Sequence, residues 1–120
     1  MSDIAPPVPL HMCNRGLIES ALAVPHVGWP GEADKYLTLE EKAAALGTHL
    51  ARSQPCIDGN KRVALILMTT FLWINGRRLT ATVAASLEPA DMMRDAANAQ
   101  DEDAVIAFIA EWLERTTMPR

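Results

Sequence analysis

The chain has 120 residues, 49 % of them apolar and 22 % charged, and a formal charge of −4. That is the profile of one soluble globular domain, residues 1–120, long enough to bury a core without disulfides. The acidic balance argues against direct nucleic-acid binding through a basic surface and leaves room only for a local basic cluster.

Two cysteines, Cys13 and Cys56, make neither a disulfide framework nor a zinc site. They read as small buried or half-buried thiols in a reducing cytoplasm. No basic segment followed by an apolar one marks a signal peptide at the front. The longest apolar run, residues 63–74, is broken by Thr69 and Thr70 and is too short to span a bilayer, so no membrane association is expected.

In chain order, residues 1–13, with Pro6, Pro7 and Pro9, form an irregular leader. Asn14 caps a helix over residues 15–24, with Leu17, Ile18, Ala21 and Leu22 on one face and Pro25 as its stop. Residues 26–36 are a Gly/Pro-rich loop or short hairpin, where Trp29 serves either a partner contact or local packing. Thr38 and Glu41 have capping-box spacing and open a helix that runs to about Ser53. Its Ala43, Leu46, His49 and Leu50 lie near one face, and Glu40, Glu41 and Lys42 are solvated. Pro55 stops it. Asn60 caps the next helix, which ends at about Asn75-Gly76. Residues 77–80 are extended. A helix follows Pro89, and Asp101 caps the last one, residues 102–115, with Val105, Phe108, Ile109, Trp112 and Leu113 as its buried stripe. Nearly every segment is helical. The expected class is all-α, a compact bundle around a buried central helix over residues 60–75.

The turn Asp58-Gly59-Asn60-Lys61-Arg62 carries the chemistry. A helix start exposes unpaired backbone N–H groups at the positive end of the helix dipole. Lys61 and Arg62 oppose that polarity, so two bases there point to an external anion, best a phosphate. Asp58 repels a bare phosphate and makes sense if it holds Mg²⁺ between itself and a di- or triphosphate. A capping Asp or Asn beside two surface bases is the equally simple alternative from these residues alone.

Residues 53–65, Ser-Gln-Pro-Cys-Ile-Asp-Gly-Asn-Lys-Arg-Val-Ala-Leu, resemble the Fic/Doc family signature His-Pro-Phe-x-Asp-Gly-Asn-(Lys or Gly)-Arg. The likeness is greatest to the Doc (death-on-curing) branch, with Leu65 where many Fic enzymes carry a second arginine. It extends to Gly16-Leu17-Ile18-Glu19-Ser20-Ala21-Leu22 and to the Leu72–Leu79 ending with Asn75-Gly76, and so covers roughly residues 14–80. The family usually has a helix ahead of the Gly-Leu-x-Glu-Ser segment, so the front end reads as shortened.

The resemblance implies a Fic-type fold and use of ATP or another nucleotide, with Mg²⁺, to transfer AMP or phosphate to a hydroxyl of a target protein. For the Doc branch that target is elongation factor Tu. By position, Asp58 binds Mg²⁺ and Gly59, Asn60, Lys61 and Arg62 cradle the phosphates. Residues 26–37 hold the target segment. The family's general-base histidine falls on Gln54. A glutamine amide orients a hydroxyl but has no basic site at neutral pH, and losing a positioned base costs about 10²–10⁴-fold. His11, His26 and His49 offer no replacement by position.

Cys56 stands for the motif's phenylalanine, which anchors the loop. The smaller side chain is expected to loosen the cradle, and a nucleophilic role is the less favoured reading of its thiol. No (Ser or Thr)-x-x-x-Glu-(Gly or Asn) inhibitory helix is found, so restraint falls to a separate antitoxin. Two readings follow, a toxin of a toxin–antitoxin pair with impaired transfer, and a non-catalytic module that binds nucleotide, antitoxin or target.

Overall fold

The computed structural model describes residues 13–23, 35–54, 56 and 59–120. Local capping signals set most element boundaries. Helix α1 (Arg15–Ala23) starts under Asn14, whose Oδ1 accepts the Leu17 N–H at 3.1 Å. Helix α2 (Leu39–Ser53) starts under Thr38, whose Oγ1 accepts the Glu41 N–H at 3.0 Å. The Glu41 carboxylate returns to the Leu37 N–H at 3.4 Å, one residue outside a full capping box. Helix α3 (Asn60–Ile74) ends at Asn75, and Gly76 at φ 87° turns the chain away. Strand β1 (Arg77–Leu79) follows, then a single turn of helix, α4 (Ala81–Ala84). Helix α5 (Glu88–Asn98) carries Pro89 in its first turn, where no N–H is needed. In α6 (Glu102–Thr116) the Asp101 carboxylate accepts the Ala104 N–H at 3.0 Å.

The chain closes with strand β2 (Thr117–Pro119), antiparallel to β1, with Arg78 opposite Met118. The all-α class holds, because this two-stranded ribbon is the only sheet among the described residues. The extended reading of residues 77–80 is correct. The partner strand and α4 have no sequence signal of their own. Three residues pair as a strand only because a second strand lies beside them, here with the Arg77 guanidinium donating to the Thr117 carbonyl at 3.0 Å.

Helix α2 carries the centre of the core. Ala43, Ala44, Ala45, Leu46, Gly47, Thr48, Leu50 and Ala51 are buried, and α1, α3, α5 and α6 all pack on it. Small residues bring the neighbouring axes close. At Gly47 a Cβ would stand 2.9 Å from the Met68 sulfur and 3.3 Å from its Cβ, so α3 seats Met68 directly over that glycine.

Helix α3 packs against α2, α5 and β1 and buries Val63, Ala64, Met68 and Leu72. Its burial is one-sided, since Ile66, Trp73 and Ile74 are each more than half exposed. The expectation of burial on nearly every side therefore needs correction. No described element covers that face, and the Arg120 guanidinium lies over the Trp73 ring at 5.2 Å. Along α6 the buried stripe is Val105, Ile106, Ile109, Ala110, Trp112 and Leu113, and Phe108 turns half outward. The Trp112 indole N–H donates to the Glu88 carboxylate at 3.1 Å, which ties α6 to the start of α5. On α1 only Ala21 is buried, and on α2 residues Glu40, Glu41 and Lys42 are half-buried rather than fully solvated.

The two cysteines are joined. Cys13 and Cys56 form a disulfide across a sequence separation of 43, and their backbones pair as an isolated antiparallel bridge. The expectation of two separate thiols is overturned. A count of two cysteines carries no information about proximity, which here depends on the segment before α1 lying along the motif loop. In the chain-entropy account, a loop of this length contributes about 4 kcal/mol by restricting the unfolded chain.

Thr48 is fully buried, yet its hydroxyl has no hydrogen-bond partner. A buried polar atom left unpaired costs about 1–3 kcal/mol. Thr48→Val keeps the shape and removes that cost. It is expected to raise the stability by about 1 kcal/mol, read as a higher urea midpoint with an unchanged slope.

Candidate functional site

The junction between α2 and α3 is built from two residues in left-handed backbone. Gln54 closes α2 at φ 49°, ψ 59°, and Gly59 opens α3 at φ 76°, ψ 22°. Gln54 is the non-glycine residue with positive φ among the described residues. An L-residue there costs about 1–2 kcal/mol against glycine, which helix ends usually use.

Between these two residues, Asn60 holds the loop. Its Oδ1 accepts the Cys56 N–H at 2.7 Å, and its Nδ2 donates to the Cys56 carbonyl at 2.9 Å. This corrects the expected role of Asn60. The capping position is Gly59, and no side chain caps α3. Asn60 spends its amide on the loop instead, so among the described residues no side chain caps the helix start. The first turn of α3 has no acidic residue, and Lys61 and Arg62 follow at once. Each feature favours an anion at this end.

A cavity of about 350 Å³ opens over this helix start, lined by Ala51, Gln54, Gly59, Asn60, Lys61, Arg62, Ala97 and Asn98. The structure thus brings together Gln54, Gly59, Asn60, Lys61 and Arg62, all expected from the sequence. Gln54 and Lys61 are exposed, while Gly59, Asn60 and Arg62 are half-buried. Asp58, the expected Mg²⁺ ligand, lies outside the described residues, as do His11, His26, Trp29 and all but the end of the 26–37 segment. Among the described residues no group of three His, Cys, Asp or Glu side chains is placed to hold a metal ion. His49 is half-buried on α2 and does not line the cavity.

Sequence reasoning missed the far wall, Ala97 and Asn98 at the end of α5. Arg52 sets that wall in place. Its Nη1 donates to the carbonyls of Ala96 at 3.1 Å and Ala99 at 2.5 Å. Helix α5 has no basic residue in its own last turn, so a guanidinium from α2 caps its carbonyl end. An arginine two residues before the motif is the only sequence signal for this link, and its partner is 44–47 positions away. Cys56, expected to loosen the loop, is instead anchored covalently, and as a disulfide sulfur it is no nucleophile.

Residues 3–72 match the Fic/DOC family. The chain belongs to this family. It is also similar to the protein named Toxin Doc from Mycolicibacterium smegmatis, with 40 % identity over 102 residues, 84 % of this chain and 77 % of that one. No solved structure matches it.

Two expected outcomes follow. Gln54→Gly relieves the left-handed strain and is expected to stabilise the protein by about 1 kcal/mol, measured by urea unfolding. An unchanged or lower midpoint would show that the glutamine side chain repays its own strain. Arg52→Met keeps the aliphatic stem but leaves the α5 carbonyls bare, and is expected to cost about 2 kcal/mol. It should also speed amide exchange in the last turn of α5 more than in α6.

Proposed function

We propose that this chain is a Doc-like protein of a toxin–antitoxin type that holds a nucleoside triphosphate with Mg²⁺ in the cavity between α2, α3 and α5. Its relation is to enzymes that transfer AMP or phosphate to a hydroxyl of a target protein. The observation that carries the reading is the convergence of Gln54, Gly59, Asn60, Lys61 and Arg62 on one cavity at the start of α3. The donors fit a phosphate chain. Lys61 and Arg62 supply charge, and the helix start supplies the positive end of its dipole. When bound, Mg²⁺ neutralises phosphate oxygens, and Asp58 is the residue to hold it.

Gln54 sits where the family's base belongs. Its amide can donate to or accept from an incoming hydroxyl and so position it. At neutral pH it cannot take the proton. Binding and proton removal use different groups, so nucleotide binding is retained while transfer is impaired. That loss supports the second reading, a module that binds nucleotide, antitoxin or target without turnover. The target, in the Doc manner, is a translation protein such as elongation factor Tu, and a separate antitoxin restrains the protein in the cytoplasm. No helix among the described residues is long and apolar enough to cross a membrane.

The test compares the protein with its Gln54→His variant, using labelled ATP, Mg²⁺ and a bacterial lysate. Both are expected to bind ATP, with binding lost in Lys61→Ala/Arg62→Ala. Transfer by the histidine variant is expected to exceed that of the unaltered protein by about 10²-fold or more. Equal transfer by the two would refute the role given to Gln54. Binding without transfer by either supports the binding module, and no binding with or without Mg²⁺ removes the cradle.

A further inference from the structure

The disulfide joins the residue just ahead of α1 to the candidate site's loop rather than two parts of the core. Neither cysteine belongs to the main hydrophobic cluster built on α2, α3, α5 and α6. Cys13 is half-buried and is followed by the exposed residues Asn14, Arg15 and Gly16, whereas Cys56 is only 6 % exposed. Cys56 in turn is gripped by the Asn60 amide through both of its backbone groups, and Asn60 lines the cavity. A covalent bond therefore ties an accessible segment at the surface to one loop residue, which two hydrogen bonds tie to the first residue of α3. Cutting it leaves the core contacts in place and removes the covalent restraint on Cys56, leaving the Asn60 bonds and the backbone bridge to Cys13.

We propose that Cys13–Cys56 is a redox modification site at which a dithiol reductant controls the order of the loop framing the cavity. The effect on nucleotide rests on the function proposed above, while the loop effect does not. A thiolate of the reductant attacks Sγ of Cys13, the more exposed partner. A sulfur–sulfur bond forms between the reductant and Cys13, and the Cys13–Cys56 bond breaks. Its electron pair leaves on the Cys56 sulfur, which takes a proton from solvent. The second thiol of the reductant then displaces Cys13, also as a thiol, and the reductant departs as its own disulfide. Two electrons have passed from the reductant to the protein, and a disulfide oxidant reverses the step. In the oxidised chain the loop is pinned at Cys56 by the disulfide and by Asn60. In the reduced chain only hydrogen bonds hold it, those of the Asn60 amide and of the backbone bridge to Cys13. The arrangement that accepts an anion is then a smaller fraction of the population, and apparent affinity falls by that fraction.

The experiment uses the full chain oxidised with diamide, the same chain reduced with dithiothreitol, and Cys13→Ser. Iodoacetamide labelling with intact mass counts free thiols. Hydrogen exchange compares peptides covering residues 54–63 with peptides of α6, and a fluorescent ATP analogue with Mg²⁺ reports binding. The expected result is labelling of both cysteines only after reduction, with exchange over 54–63 faster by about tenfold and α6 unchanged. Affinity for the analogue should weaken by about tenfold. Cys13→Ser should show the reduced values whether or not dithiothreitol is present. Two labelled thiols after diamide treatment would overturn the proposal. So would a bond whose reduction leaves exchange over 54–63 unchanged, or affinity that is equal in both states while exchange differs. Faster exchange on reduction with no analogue binding in either state supports control of the loop and refutes the nucleotide reading instead.

Discussion

The Asn60 amide closes on both backbone groups of Cys56, and the candidate site depends on that small ring of two hydrogen bonds. It decides what the start of α3 can do. An asparagine at this point ordinarily caps its helix. Here it is the first helical residue and faces backwards, so the capping duty passes to a glycine with no side chain to offer. Among the described residues no side chain caps this helix start, and its positive dipole end suits an anion. The same two bonds hold the loop on the axis of α3, so that the end of α2 and the start of α3 face one cavity. An Asp in place of Asn60 would accept from the Cys56 N–H but could not donate to its carbonyl.

Around this ring the protein arranges three other supports, each from a different part of the chain. Gly47 lets Met68 descend onto α2, and this sets how closely the two motif helices cross. Arg52 reaches out from the last turn of α2 to cap α5 and brings Ala97 and Asn98 to the cavity's far wall. Cys13 anchors the loop from the front. This anchor is covalent, and unlike the burial of a side chain it can be cut by a thiol reductant.

Gln54 combines two oddities. It occupies backbone that favours glycine, and in the signature that the sequence resembles a histidine holds its position. Left-handed backbone at a non-glycine residue persists when the surroundings dictate it, and such positions gather at functional sites. The conformation aims the residue into the cavity shared with Lys61 and Arg62. The cavity is thus faced at this point by an amide, which can donate or accept a hydrogen bond but cannot take a proton at neutral pH.

The sequence by itself determined the five longer helices and most of their ends, because capping is local. Asn14, Thr38, Asp101 and Asn75-Gly76 act within four residues of themselves, and each does what its spacing implies. It also determined the near wall of the site, since Gln54 and residues 59–62 adjoin in the chain. Tertiary structure alone decided the rest. Which apolar face of α3 stays exposed depends on where α5 and β1 stop. The outward turn of Phe108 depends on Ile106 taking the inner place. The far wall at Asn98, the strand at Thr117 and the Cys13–Cys56 bond each need partners about 40 or more residues away. No local pattern encodes such distances, because they result from the whole core closing around the small residues of α2.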